Sequence, residues 1–140
     1  MRTVFVHLRN ATMDQVEEFL DRTYPSPKGS GWIYSIDGDP CLYIDFYRDL
    51  NSEAEPEEIV NLVTALGGHP TVSVGADVSG RHPGDLEVGE FVRRFLTEFE
   101  GVAQDDFTEG FWTLDDIQLE RKKPSTLLGS QVQRAFFDYR

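Results

Sequence analysis

Apolar and polar residues alternate in several short segments of this chain, which is the pattern of β-strands with one buried face. The alternation is most complete in TVSVGADVS at 71–79, and it is also present in TVFVHL at 3–8. WIYSI at 32–36 and CLYIDFY at 41–47 indicate two further strands. The Asp-Gly turn between them at 37–38 suits a tight hairpin. These segments predict four strands, two of which are joined directly.

Three other segments repeat their apolar residues at the spacing of an α-helix. The first spans 13–23, and Thr12 and Gln15 fit a capping box at its start. The second begins at Pro56 and ends at 67–68, where two glycines follow its last apolar residue. The third has the strongest apolar stripe, made of Val88, Phe91, Val92, Phe95, Leu96 and Phe99.

The predicted elements follow the order β-α-β-β-α-β, then a third helix, a short strand at 101–103, a brief helix capped by Thr113 and a tail that fits either a helix or an extended segment. The first four strands and two helices match the ferredoxin-like plan. In that plan an antiparallel sheet has both helices on one face, with the first and third strands central and the fourth beside the first. We predict one α+β domain over 1–140, with a core at about 2–118 and a basic C-terminal segment at 119–140.

The polar side of the predicted sheet is a candidate site. If the apolar half of each strand faces the helices, the alternate residues form an open sheet face. This face would carry His7, Tyr43, Asp45, Tyr47 and Asp77. A histidine within a few ångströms of two carboxylates suits a divalent metal or a general base. The alternatives are a docking face for the C-terminal tail, with His7 paired to one carboxylate, and a surface for a partner.

The segment VAQDDFTEGFWTLDDIQ at 102–118 contains five carboxylates, three large aromatic residues and no basic residue. Its last acidic pair begins a short helix, where carboxylates are favourable near the N-terminus. The aromatic residues are too apolar to stay fully solvated, so they would hold the segment against the core. The D-x-D-x-D-G pattern of a calcium loop is missing. We predict an acidic partner-binding surface made of Asp105, Asp106, Glu109, Trp112, Asp115 and Asp116.

The charge balance narrows the choice of partner. The chain has 13 basic and 25 acidic residues, for a net charge of −12. Residues 119–140 are net positive, so the rest of the chain is more acidic than the total suggests. Such a body repels nucleic acid and anionic membranes and attracts a basic protein. With no export signal, no membrane-length apolar stretch and one cysteine, we predict a cytoplasmic protein with Cys41 as a buried, reduced thiol.

Two segments resemble one family when they are taken together. TVSVGADVSGRHPGDLEVGEFVRRFL at 71–96 joins a strand and its Asp-Val-Ser-Gly-Arg turn to a helix, and GVAQDDFTEGFWTLDDI follows at 101–117. Over about residues 71–118 the chain resembles small bacterial immunity proteins of polymorphic-toxin systems. The resemblance implies a cytoplasmic protein that binds and blocks a cognate toxin. Many such toxins are nucleases with basic clefts, which an acidic protein can plug.

The leading prediction is a non-enzymatic acidic domain that binds a basic protein, an immunity protein against a basic toxin. One alternative is a small enzyme or metal-binding protein that uses His7, Asp45 and Asp77. Another is a structural homo-oligomer, for example a homodimer, joined through the open sheet face. No cofactor is predicted, because the sequence lacks metal-ligand spacing, a phosphate-binding loop and a nucleophile elbow. Burial of Tyr43 in the monomer would rule out the open face.

Overall fold

A computed structural model describes residues 3–24, 31–80, 84–105 and 110–119. The basic tail beyond residue 119, and with it the choice between a helical and an extended tail, lies outside these ranges. Within them the elements are β1 (Thr3–Arg9), α1 (Met13–Thr23), β2 (Trp32–Ile36), β3 (Asp39–Phe46), α2 (Leu50–Glu53), α3 (Pro56–Leu66), β4 (Val72–Val78), α4 (Asp85–Glu98), β5 (Glu100–Asp105) and α5 (Leu114–Leu119).

The five strands form one antiparallel sheet in the order β2-β3-β4-β1-β5. The predicted α+β class and the antiparallel sheet are therefore confirmed, and β4 lies beside β1 as predicted. The ferredoxin-like order is not found, because β4 separates β1 from β3. This strand order follows from the connection between β3 and β4. Through α2 and α3 the chain turns back, so that β3 and β4 pair as antiparallel neighbours with no strand between them.

One face of the sheet packs against α1 and α4 and holds the main core. The predicted alternation is confirmed here, since the inward strand residues are buried and Phe46 is half-buried. Full burial of each such side chain stabilises the fold by roughly 1.5–3 kcal/mol. α1 and α4 contribute the apolar residues of their predicted stripes. The inward strand residues are Val4, Val6, Leu8, Leu42, Ile44, Val72, Val74, Ala76 and Val78.

The opposite face of the sheet is covered at one side by α3. A second buried cluster joins Leu62 and Leu66 of α3 to Val102 of β5, with Phe111 packed against them. Val102 precedes Ala103, which belongs to the main core, so the two side chains point to opposite faces. The prediction that the helices share one face is therefore wrong. Leu62 and Leu66 are the buried residues of α3, and the helix contacts β1 and β5, so it covers the β1–β5 side and leaves the β3–β4 side uncovered.

Helix ends follow the predicted capping chemistry. The Thr12 hydroxyl accepts a hydrogen bond from the Gln15 amide at 3.1 Å, and the Gln15 side chain accepts one from the Thr12 amide at 3.0 Å. This capping box satisfies two amides that have no partner inside the helix. Gly67 ends α3 with a φ of 83°, a left-handed conformation that costs glycine little.

Cys41 is fully buried, as predicted, and burial raises the pKa of its thiol to about 11. The thiol is therefore protonated near neutral pH, which makes it a poor nucleophile. Across the described ranges, none of the helices combines the length and the apolar character needed to cross a membrane.

Candidate functional site

The uncovered part of the second face is built by three neighbouring strands, β3, β4 and β1. Cross-strand pairing places its outward residues in three rows. The rows are Tyr43 with Asp77 and Thr3, Asp45 with Gly75 and Phe5, and Tyr47 with Ser73 and His7. Gly75 occupies the middle position and has no side chain. The Phe5 ring leans over this position, so the centre of the face is covered by an aromatic ring from β1 and not by a side chain of β4.

Gly75 and the Phe5 ring line an open groove of about 610 Å³. The size is within the range of about 300–1,000 Å³ that is typical of ligand sites. Burial of Tyr43 would have ruled out an open face, but its side chain is 42% exposed. Among the described residues, no lysine or arginine lines the groove. Trp32 and Ile33 of β2 and Ile44 and Phe46 of β3 contribute to its lining, and its outward-facing side chains from β1, β3 and β4 are Thr3, Phe5, Tyr43, Asp45, Tyr47 and Asp77.

Aromatic rings form one wall of the groove. The centroid of the Phe5 ring lies 4.8 Å from that of Tyr47, at a tilt of 41°. The Tyr47 hydroxyl donates a hydrogen bond to the Glu53 carboxylate at 2.7 Å. Burial, then this hydrogen bond and the charges of nearby carboxylates, raise the pKa of Tyr47 to about 12. Tyr47 therefore stays neutral and connects the groove to the acidic segment that follows β3.

Two carboxylates lie at the groove, on adjacent strands. Asp45 pairs across β3 and β4 with Gly75, and Asp77 is two residues further along β4, so the two are diagonal neighbours. The Cα atoms of such neighbours are roughly 7–8 Å apart. The Asp77 carboxylate accepts a hydrogen bond from the Thr3 hydroxyl at 2.6 Å, and Asp45 accepts one from the Phe46 amide at 2.8 Å. No basic side chain within the described ranges forms an ion pair with either aspartate.

An acidic segment borders the groove beside Tyr47. Between residues 49 and 66 the chain has no basic residue, and its five carboxylates are exposed. Part of this acidity has a local structural role, because the Glu58 side chain accepts a hydrogen bond from the Glu55 amide at 2.7 Å and caps α3. The five residues are Asp49, Glu53, Glu55, Glu57 and Glu58. Together with Asp45 and Asp77 they give this end of the open face a net negative charge, which one exposed cation, Arg48 over the Phe46 ring, offsets in part.

His7 belongs to the same face but not to the groove. It is fully buried, and its Nδ1 and Nε2 atoms lie 2.8 Å from the Ser73 hydroxyl and 3.0 Å from the Gln104 side-chain oxygen. The amide oxygen can only accept, so Nε2 carries the proton and Nδ1 accepts from the hydroxyl. Burial lowers the pKa of His7, partly offset by the hydrogen bond to Gln104. Both ring nitrogens of the neutral imidazole thus have hydrogen-bond partners inside the fold, which indicates a structural role for His7.

The predicted cluster of His7, Asp45 and Asp77 is wrong in its geometry. His7 pairs with Ser73, four residues from Asp77 along β4, which corresponds to about 13 Å at the rise of a strand. Asp45 is on β3, beyond β4. In the part of the chain that the structure describes, no group of three or more histidine, cysteine or acidic residues is placed to hold a metal ion. The register brings the two aspartates together and leaves the histidine apart.

The predicted acidic surface at 102–118 differs from the structure at two of its residues, Asp105 and Trp112. Asp105 is 1% exposed, because β5 continues to this residue and the alternation turns it to the same face as Ala103. Trp112 is also fully buried, and its backbone makes two hydrogen bonds of 2.8 and 2.9 Å with Ala103. Placing either residue on a partner-binding surface was therefore wrong. Trp112 does hold the segment against the core, as predicted, and Phe111 is half-buried beside it.

The remaining acidic residues of that segment have separate outcomes. Asp116 caps α5: its carboxylate accepts hydrogen bonds from the Thr113 amide at 2.9 Å and hydroxyl at 3.0 Å, and its own amide donates to that hydroxyl at 3.2 Å. Asp115 is exposed in the first turn of the helix. Asp106 and Glu109 lie outside the described residues. Within the described ranges, Asp115 is the one acidic residue of this segment that is fully available to a partner.

Sequence reasoning missed two residues that shape this face. Gly75 sits alone in an otherwise apolar-alternating strand, which is a signal for close approach by another group. Gln104 was missed because the predicted strand ended at residue 103, so no partner for His7 was expected on β5.

Comparisons of the chain with family models, with curated proteins and with solved structures found no match.

Proposed function

We propose that this chain is a non-enzymatic acidic protein that binds a basic partner protein through the β3-β4-β1 face. The observation that carries the proposal is the groove over Gly75, which combines aromatic walls with the carboxylates of Asp45 and Asp77. Charge complementarity of this kind steers a basic protein to the face and raises its association rate. The acidic segment at 49–58 extends the negative surface beside the groove.

Within this proposal, the partner is a basic toxin and the chain is a cytoplasmic immunity protein. The resemblance over residues 71–118 supports this assignment. That segment supplies β4 and β5, which flank β1 in the sheet, and it includes Gly75 and Asp77 of the groove. An inhibitor of a basic cleft needs an exposed acidic surface on a rigid support. The residues of β3 and β4 meet that need, because paired strands fix their positions.

The experiment is affinity purification of the tagged protein from its native host at low and at high salt, read by mass spectrometry. Salt shortens the Debye length from about 10 Å at 0.1 M to about 3 Å at 1 M, so an electrostatic complex should weaken. One basic protein enriched at low salt and depleted at high salt is the expected result. A matched variant, Asp45→Asn with Asp77→Asn, should reduce its capture, whereas Asp14→Asn on α1 should not. Capture of no basic protein at either salt concentration would overturn the proposal.

A further inference from the structure

An aromatic ring and a carboxylate border the centre of the groove. The ring of Phe5 leans over Gly75, with two ring carbons 3.3 Å from the position that a Cβ would occupy. Asp45 pairs with Gly75 from β3, on the side of β4 that is opposite to Phe5 of β1. The space at the centre is therefore bounded by an aromatic ring on one side and by a carboxylate on the other.

The same space favours a cation. Asp45 and Asp77 are held on neighbouring strands, and in the described part of the chain no basic side chain neutralises them. Tyr43, in the same row as Asp77, is exposed and adds a second aromatic side chain at the solvent side. Aromatic faces attract cations, and carboxylates form short hydrogen bonds with charged donors.

Among biological cations, the guanidinium group fits these features better than an ammonium group. It is planar and stacks on aromatic rings, and it presents donors on more than one edge. It can therefore contact two carboxylates that are separated by a diagonal step, while its face rests on a ring. An ammonium group is a compact point charge that holds its hydration shell more firmly.

The surroundings also indicate how the cation arrives. Asp45 and Tyr43 are exposed at the groove, so a side chain can reach them from a protein that lies across the face. The carboxylates at 49–58 are beside it and can attract further basic residues of the same partner. A free small cation is attracted by this acidic border as well, but it cannot contact the groove and the border at the same time.

We propose that the groove over Gly75 binds one arginine side chain of the partner protein, with its guanidinium between Asp45 and Asp77 and its plane against Phe5 or Tyr43. This inference depends on the proposed function and names the group that is recognised. The arginine would be the central contact of the interface, surrounded by weaker electrostatic contacts at the acidic border.

The test is an NMR titration of the full-length ¹⁵N-labelled chain with the blocked tripeptide Ac-Gly-Arg-Gly-NH₂. Its counterparts contain lysine, or citrulline as the neutral analogue of arginine. The arginine peptide should shift the amide signals of Gly75, Asp45 and Asp77. The lysine peptide should bind roughly fivefold more weakly, and the citrulline peptide should cause no comparable shift.

Variants complete the test. Asp45→Asn and Asp77→Asn keep the oxygen atoms that accept the Phe46 and Thr3 hydrogen bonds, so both should fold, and each should weaken arginine binding by about tenfold. Asp14→Asn removes the same charge from α1, on the other face of the sheet, and should leave binding unchanged. Equal binding of the lysine peptide, signal shifts away from the groove, or tighter binding of free arginine than of the blocked peptide would each overturn the inference.

The two proposals fail in different ways. If the Asn double variant still captures a basic partner in a salt-dependent manner, the protein-binding function stands and the arginine site is wrong. If the arginine peptide binds in the groove but no basic protein is captured, the site stands as a guanidinium site and the protein partner is wrong.

Discussion

The ring of Phe5 lies over Gly75, so close that a Cβ on residue 75 would be 3.3 Å from its Cδ1 and Cε1 atoms. Through this contact across β1 and β4, the Phe5 ring occupies the space that a side chain of residue 75 would need. Phe5 is only half-buried, so its ring has room to move by a few tenths of an ångström.

We therefore expect Gly75→Ala to fold normally and to lose binding. The added methyl group fills the groove floor and displaces the Phe5 ring. The free energy of unfolding should change by less than about 1 kcal/mol, since alanine suits a strand at least as well as glycine does. Calorimetry with the captured partner or the arginine peptide should show an affinity loss of about tenfold or more. Unchanged affinity with the methyl group in place would mean that ligands do not use the groove floor.

A pH-dependent stability is expected from His7. Burial lowers its pKa in the folded state below the value of 6.5 that applies when the chain is unfolded. As the pH falls below about 6.5, the unfolded state binds a proton that the folded state does not, so stability is lost through that window. The loss is at most about 1.4 kcal/mol per pH unit and stops once the pH is below the folded pKa.

Urea denaturation of the wild type and of His7→Gln between pH 7.5 and pH 5 measures this contribution. In each protein, the free energy of unfolding is plotted against pH. The carboxylates titrate in both proteins, so the difference between the two slopes gives the contribution of the His7 imidazole. Equal slopes in the two proteins would mean that His7 is as easily protonated in the fold as in the unfolded chain.

Trp112 should behave as a core residue. Its side chain is fully buried and packs in the main core, and Trp→Ala changes at such positions cost about 3–5 kcal/mol. Asp115, three residues later and exposed, is a matched control whose change to alanine should cost no more than about 0.5–1 kcal/mol. Chemical denaturation of both variants makes the comparison. A Trp112→Ala protein of normal stability with lost partner binding would return this residue to the interface.

The isolated chain should not self-associate through the open face. A symmetric pair would bring the carboxylates of Asp45 and Asp77 against their own copies, and like charges at close range are unfavourable. At low salt, light scattering should give the mass of one chain, 15.9 kDa. The Tyr43→Asp variant should give the same mass. A dimer in the wild type that Tyr43→Asp dissolves would support the homo-oligomer alternative.

The sequence predicted the strands and the face of each residue well, because alternation is a local property. Val4, Val6 and Leu8 are buried in the main core, as their spacing required. Alternation does not determine which strand lies beside which, and the apolar pattern of β4 suits a position next to either β1 or β3. Similarly, Leu62 and Leu66 look the same in sequence whichever face of the sheet α3 covers.

The candidate site was predicted in part. Tyr43, Asp45 and Asp77 do share an open face, but the position of His7 along the strands depends on register, which spans residues far apart in the chain. Asp105 shows the effect of a strand end. A strand that continued two residues beyond the predicted one turned a surface carboxylate into a buried one. Charge composition alone gives no information about such a change.

The edges of the sheet have a consequence for behaviour at high concentration. On the β5 side, the bridge between Ala103 and Trp112 occupies part of the outer strand. On the β2 side, the pairing with β3 shifts register between Tyr34 and Ser35, which interrupts the regular ladder of an edge strand. A foreign strand or a second copy thus meets, within the described sheet, no long and regular edge on which to stack. Amyloid-like growth is therefore discouraged at both described edges of the sheet.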